Sequence, residues 1–279
     1  MPYTTSLGFQ SERVINHLES VVLERPDYRI LRTPANPGYY FGNLLALKVP
    51  LHSQSMAEWQ ACFAQAFAQD PLVQHQTYSW RPGPDQNMAT VEAFVRAGFD
   101  YEQMHVLAAT PDSFAAPDAL NLEVQLRDLT TADDWQQWLN LARLDFLHNP
   151  NPESVERYLA GKIANYRQLS AGGYGRYLGA FIDHRLIGYA GLYQLDRLAR
   201  FQSVLVLPEF ENRNIAKTLL SQLVAQAPEH IKRFVIIADA HYHATGLYQR
   251  LGFQIVEREC SLCWWPGKVS LFPFPAAAT

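Results

Sequence analysis

The feature that most constrains this chain is a pattern that occurs twice. At 200–207 an apolar strand-like run leads to Pro208, and a polar loop opens an amphipathic helix at 215–227. A short strand follows at 234–238, then a helix at 243–251 that closes on Leu251-Gly252-Phe253, and a strand at 253–259. The same order recurs earlier: a strand at 40–49 ending at Pro50, helix 56–68, strand 75–80, helix 88–97, Ala97-Gly98-Phe99 and strand 99–108. Proline ends a strand because it has no N–H to give the ladder. Glycine after a helix supplies the left-handed turn that most residues resist. The recurrence reads as an internal repeat. Two unrelated units with the same supersecondary chemistry would give the same order.

Between the copies, Thr110 to Asn121 (TPDSFAAPDALN) reads as a linker. Residues 122–127 alternate like a strand. Thr130 or Thr131 before Ala132-Asp133-Asp134 is a helix start, with acids in the first turn. A second helix is expected at 152–169, broken by Ser170 to Gly175, followed by strands at 177–182, 186–193 and 200–207. Hairpins come first and two strand–helix units come late. The expected fold is therefore a mixed α/β sheet, not a doubly wound one. The expected domains are 1–115 and 122–279. The chain length of 279 residues agrees, since a single domain typically has about 100–150.

Charge excludes some partners. The net charge is −4, the wrong sign for a nucleic-acid binder. Residues 1–120 carry 7 Lys and Arg against 12 Asp and Glu, so the second half is the easier place for an anionic ligand. The three cysteines, Cys62, Cys260 and Cys263, suit a reducing compartment. Cys260 and Cys263 form one CxxC with no second pair to complete a thiolate metal site, so no metal is expected. No apolar run approaches ~20 residues and no secretory leader is evident, so the expectation is a cytoplasmic protein with no membrane partner. Gly172-Gly173-Tyr174-Gly175 is no dinucleotide fingerprint, because no strand precedes it. No HExxH, phosphate-loop or nucleophile-elbow sequence is present.

The chemistry concentrates in two stretches. In Val206-Leu207-Pro208-Glu209-Phe210-Glu211-Asn212-Arg213-Asn214-Ile215-Ala216-Lys217, a helix begins after a polar loop. Its first N–H groups lack partners and favour an anion such as a pyrophosphate. In Ala244-x-x-Leu247-Tyr248-x-x-Leu251-Gly252-Phe253, a helix carries a tyrosine toward the glycine stop. At this spacing, with a strand between, the two stretches resemble the GCN5-related N-acetyltransferase (GNAT) superfamily over 122–260. The resemblance implies the acyl-coenzyme A N-acyltransferase fold, preceded by a partial, degenerate relative at 1–115.

It further implies an acetyl-coenzyme A-dependent N-acetyltransferase acting on a small-molecule or peptide amine. Val204, Leu205 and Val206 would meet the pantetheine arm. The loop Glu211, Asn212, Arg213, Asn214, Ile215, Ala216 and Lys217 would meet the pyrophosphate. Tyr248 would protonate the departing thiolate. Two positions depart from the family's loop: Glu211 stands where it has Arg or Gln, and Asn214 where it has a first glycine. Asn tolerates positive φ; Glu211 repels a pyrophosphate, with Arg213 and Lys217 nearby to offset it. A non-catalytic module that binds acyl-coenzyme A or a protein partner is the alternative.

Residues 200–208 contain no carboxylate, so the base is sought at Asp239, His241 or His243. Histidine is the side-chain type suited to accepting a proton near neutral pH, which favours His241, and Asp239 and His241 equally suit a capping role. The aromatic stretch 36–43 lines an acceptor pocket or packs between domains. Deletion of 1–115 is expected to spare coenzyme binding and lose acceptor recognition. A homodimer is compatible with all of this.

Overall fold

A computed structural model describes residues 6–84, 86–147, 149, 151–241 and 244–266. His243 and the strand expected beyond 266 lie outside the described residues. The first half contains α1 (Leu7–Asn16), β1 (Val21–Glu24), β2 (Tyr28–Arg32), β3 (Leu44–Leu47), α2 (Met56–Ala66), β4 (Gln76–Trp80), α3 (Met88–Arg96) and β5 (Asp100–Ala109). The second contains β6 (Gln125–Asp128), α4 (Ala132–Ala142), α5 (Pro152–Ala171), β7 (Gly175–Ile182), β8 (Arg185–Leu195) and β9 (Leu198–Val206). It ends with α6 (Ile215–Ala225), β10 (Arg233–Asp239), α7 (Ala244–Arg250) and β11 (Gln254–Trp264).

Local chemistry accounts for most element starts. Ser6, Ser55, Asn87, Thr131 and Asn151 each accept from a first-turn N–H and so cap α1 to α5. The strand expected at 40–49 is shorter, because Asn43 folds its own approach. Its Nδ2 donates to the carbonyls of Asn36 and Tyr39 (3.0 Å each), and its Oδ1 accepts from the Thr33 N–H at 2.8 Å. Tyr40–Gly42 is thereby wound into a tight turn, and only Leu44–Leu47 remains extended.

All eleven strands form one sheet, in the order β1-β2-β3-β4-β11-β5-β10-β9-β8-β7-β6. The order reads alike from either end toward the β11–β5 pair. β3 and β4 are parallel, as are β9 and β10, and the neighbours flanking them are antiparallel. The repeated strand–helix–strand–helix–strand units are therefore related by a pseudo-dyad between β11 and β5. The helix stops match in detail. Gly98 has φ 93° and Gly252 φ 85°, while the Phe99 and Phe253 N–H groups close on the Phe94 and Tyr248 carbonyls at 3.0 and 3.1 Å.

The halves exchange their last strands. β5 lies between β10 and β11, and β11 lies between β5 and β4. The larger core takes Leu107 and Ala109 from β5 and Val14 and Ile15 from α1; the smaller takes Cys260 and Leu262 from β11. This exchange argues against the expectation for deleting 1–115. That deletion would remove the strand beside β10, so coenzyme binding by the remainder cannot be expected to persist. The linker is also anchored: the Ala115 N–H donates to the Leu251 carbonyl at 3.0 Å, and Phe114 meets Phe253 edge-on. No described helix is long and apolar enough to cross a membrane.

Candidate active site

The cleft arises where two parallel strands part. β9 and β10 pair only at Leu198 to Arg200 against Arg233 to Val235. Beyond that register the β8–β9 ladder slips between Tyr189 and Gly191, and Ser203 takes φ 48°. A left-handed residue inside a strand bends it. The bend leaves a cavity of about 640 Å³ with Ser203, Val204, Leu205 and Val206 along one edge. That volume lies within the range of small-molecule sites, about 300–1,000 Å³.

One end of the cavity is the loop into α6. Pro208 begins a tight turn to Phe210, then Asn212 (φ 60°) and Asn214 (φ 59°) both adopt the left-handed conformation. The asparagine expected to tolerate positive φ does so. Asn214 offers no capping side chain to α6, in contrast to the caps of α1 to α5. Its carbonyl accepts from both the N–H and the hydroxyl of Thr218, at 2.9 Å each. Asn121 holds the loop from outside, donating through Nδ2 to the Arg213 carbonyl at 2.9 Å and through its N–H to the Thr218 hydroxyl at 2.8 Å. The first-turn residues Ile215, Ala216 and Lys217 thus line the cavity, and among the described residues no N-cap side chain closes the start of α6. Such a terminus attracts an anion.

The equivalent place in the first half is closed by the chain itself. The Ser55 hydroxyl accepts from the Glu58 N–H at 3.3 Å, and Glu58 accepts from the Ser55 N–H at 2.7 Å. These hydrogen bonds from Ser55 lower the Glu58 pKa. A resident carboxylate sits where an anionic ligand would go.

The facing wall comes from α7. Tyr248 is buried, lines the cavity and packs against the Phe253 ring. The Gly252 turn aims α7: a Cβ there would stand 1.9 Å from the Ser113 carbonyl oxygen, at φ 85°. Of the residues expected at the site, Val204, Leu205, Val206, Glu211, Asn212, Asn214, Ile215, Ala216, Lys217 and Tyr248 line this one cavity. Arg213 does not; it is exposed, with its guanidinium 5.3 Å from the Phe210 ring. His241 does not either. It is exposed in the turn after β10, where its N–H donates to Asp239 Oδ1 at 2.7 Å.

Four polar contributors escaped sequence reasoning: Asp145, Tyr189, Ser203 and Arg250. Asp145 follows α4 in a short 3-10 turn, and desolvation raises its pKa although it reaches solvent. Arg250 adds a cation to the cavity that Lys217 and Glu211 also line. A signal was available only for Arg250, two residues beyond Tyr248. Among the described residues, no three His, Cys, Asp or Glu side chains gather as ligands for a metal ion.

A single mixed sheet, two parallel strands that part, and a helix start without a side-chain cap facing the gap make up an α/β cleft. Residues 135–253 match the Acetyltransferase (GNAT) family, and this segment is a GNAT domain. No curated protein matches the chain. Among solved structures, a functionally unknown conserved protein of Staphylococcus epidermidis is similar at 16% identity and TM-score 0.66, over 86% of this chain and 92% of that one. A GCN5-related N-acetyltransferase from Kribbella flavida is similar at 13% identity and TM-score 0.60, over 93% and 94%. A tandem GNAT protein from the clavulanic acid biosynthesis pathway is similar at 14% identity and TM-score 0.53, over 81% and 74%. These likenesses establish the fold as that of GNAT proteins, including tandem ones.

Proposed function

We propose that this protein is an acetyl-coenzyme A-dependent N-acetyltransferase. The observation that carries it is the uncapped start of α6 opening into the same cavity as Tyr248. The residues fit the coenzyme's anionic portion: α6 presents free first-turn amides, and Lys217 and Arg250 supply positive charge. Val204 to Val206 offer strand backbone to an amide-bearing arm. The coenzyme would supply an acetyl thioester. Tyr248 offers a phenolic O–H as proton donor to a departing sulfur. The strand and loop orient the thioester, and the buried wall excludes water.

Calorimetry tests the first step. Acetyl-coenzyme A should bind the full chain, and a thiol-release assay with an amine panel should detect turnover. No binding at millimolar ligand would remove the proposal.

Glu211 favours a second reading, because its carboxylate lines the cavity at the end proposed for the pyrophosphate. A non-catalytic sensor of acyl-coenzyme A would be stabilised by the ligand in a melting experiment. It would release no thiol with any amine.

A further inference from the structure

Resting on that function, we propose that the acceptor is a primary amine carried on a flat apolar body. Asp145 receives its nitrogen, and a hollow built by both halves of the chain receives the body.

Three observations converge on this. First, the cavity wall carries two carboxylates with different surroundings. Glu211 sits on the loop beside α6, while Asp145 sits on the turn after α4, with Tyr189 and Ser203 on the same cavity. Asp145 has no ion-pair partner among the described residues. The Tyr158 and Tyr189 hydroxyls lie within electrostatic range of it, from α5 and β8 respectively. Both phenols are driven upward in pKa, chiefly by burial, and remain neutral. A carboxylate with no ion-pair partner beside neutral hydroxyls is suited to a cation.

Second, the next residue lines a different recess. Phe146 lines a separate hollow of about 180 Å³ with Tyr39, Tyr40, Phe41, Val155 and Tyr158. Its walls are aromatic faces and edges: the Phe146 and Tyr39 rings lie 5.7 and 5.8 Å from the Tyr158 ring. Such a hollow suits a flat apolar group.

Third, Asp145 and Phe146 are consecutive, and Tyr158 of the apolar hollow lies within electrostatic range of Asp145, so the two recesses flank one turn. The 38–41 wall belongs to the first half of the chain. It is held against α5 by Asn36, whose Nδ2 donates to the Tyr158 carbonyl at 3.1 Å. The first half, whose own helix terminus is closed by Glu58, thus acquires a role in acceptor selection.

The step balances without a further reactant. The amine nitrogen forms a bond to the acetyl carbon as the C–S bond breaks. An acceptor bound as its ammonium first gives one proton to bulk water; on attack the nitrogen's second proton passes to the Asp145 carboxylate, the departing sulfur takes the Tyr248 proton, and exchange with solvent resets both side chains.

The test uses the full chain, with coenzyme A binding measured first by calorimetry. Phenethylamine should bind the coenzyme A-loaded protein about tenfold more tightly than spermidine, and should lead in thiol release with acetyl-coenzyme A. Asp145→Asn should weaken phenethylamine about tenfold in both assays and leave coenzyme A affinity unchanged. Rising pH should restore part of its turnover, because the free amine fraction grows. Phe146→Ala, checked by melting temperature, should erode the preference for the aromatic amine. If coenzyme A does not bind, the proposed function fails and this inference falls with it. If thiol is released but spermidine is preferred, or Asp145→Asn leaves phenethylamine binding intact, the function stands and the acceptor assignment alone is overturned.

Discussion

At the residue scale, Tyr248 and Lys162 make opposite use of burial. Tyr248 is held in the cavity wall by the Gly252 turn, where its hydroxyl can serve a leaving thiolate. Tyr248→Phe keeps the ring packing and removes only the proton donor. Turnover should fall by a factor of about 10² to 10⁴, the usual range for a general acid, while calorimetric affinity for acetyl-coenzyme A changes little. Equal losses in both would remove its role as an acid. Lys162 is buried on α5 with its ammonium 3.9 Å from the Tyr39 ring, and desolvation lowers its pKa to about 8. The unfolded chain keeps this lysine protonated to about pH 10.4. Between about pH 8 and 10 the unfolded state therefore binds more protons, and stability should rise with pH. Lys162→Met should flatten that rise in urea titrations across this window; an unchanged slope would show that Lys162 does not drive it.

At the element scale, the two helix starts that follow a strand and a proline have taken opposite courses. α2 closes its terminus with Ser55 and Glu58, and α6 leaves its terminus open behind Asn214. Glu211 works against the open one. Glu211→Gln should tighten acetyl-coenzyme A binding by about 1 kcal/mol, a severalfold change in Kd, and added salt should shrink the gain. A Kd that does not move would place Glu211 away from the ligand's charge. The glycines of α7 offer a paired test of how that helix is aimed. Gly252→Ala forces a Cβ toward the Ser113 carbonyl at positive φ and should cost about 1–3 kcal/mol in chemical denaturation. Gly246→Ala meets only the flexible end of Arg250, at 3.6 Å, and should gain about 0.5–1 kcal/mol from helix propensity.

These elements also mark what sequence could reveal. The left-handed turn at Asn214 was legible because asparagine tolerates positive φ, and the α7 stop because glycine does, whereas the same conformation at Asn212 was not anticipated. α1 and β1 were not assigned, since little in the sequence of α1 marks a helix apart from its cap and what it packs against is distant. Its Val14 and Ile15 join the core of the second half. Asp145 was equally hidden: nothing local to the α4–α5 connection shows which cavity it will meet.

At the scale of the whole molecule, the pseudo-dyad exchange of β5 and β11 governs stability. The linker at 110–121 invites a cut, and composition alone would place two separable domains on either side. Instead, each hydrophobic core is completed by a strand from the other half, and β11 bonds to β4 from Gln76 to Trp80 and to β5 from Asp100 to Ala108. A fragment of residues 116–279 would leave β10 with an exposed edge and β11 without either neighbour, an arrangement prone to aggregate. The intact chain should therefore unfold in one calorimetric transition, with the van't Hoff and calorimetric enthalpies equal. The 116–279 fragment should be insoluble alone and recover its fold when co-expressed with 1–115. Two resolved transitions, or a soluble fragment that binds acetyl-coenzyme A unaided, would show that the exchanged strands are not what joins the halves.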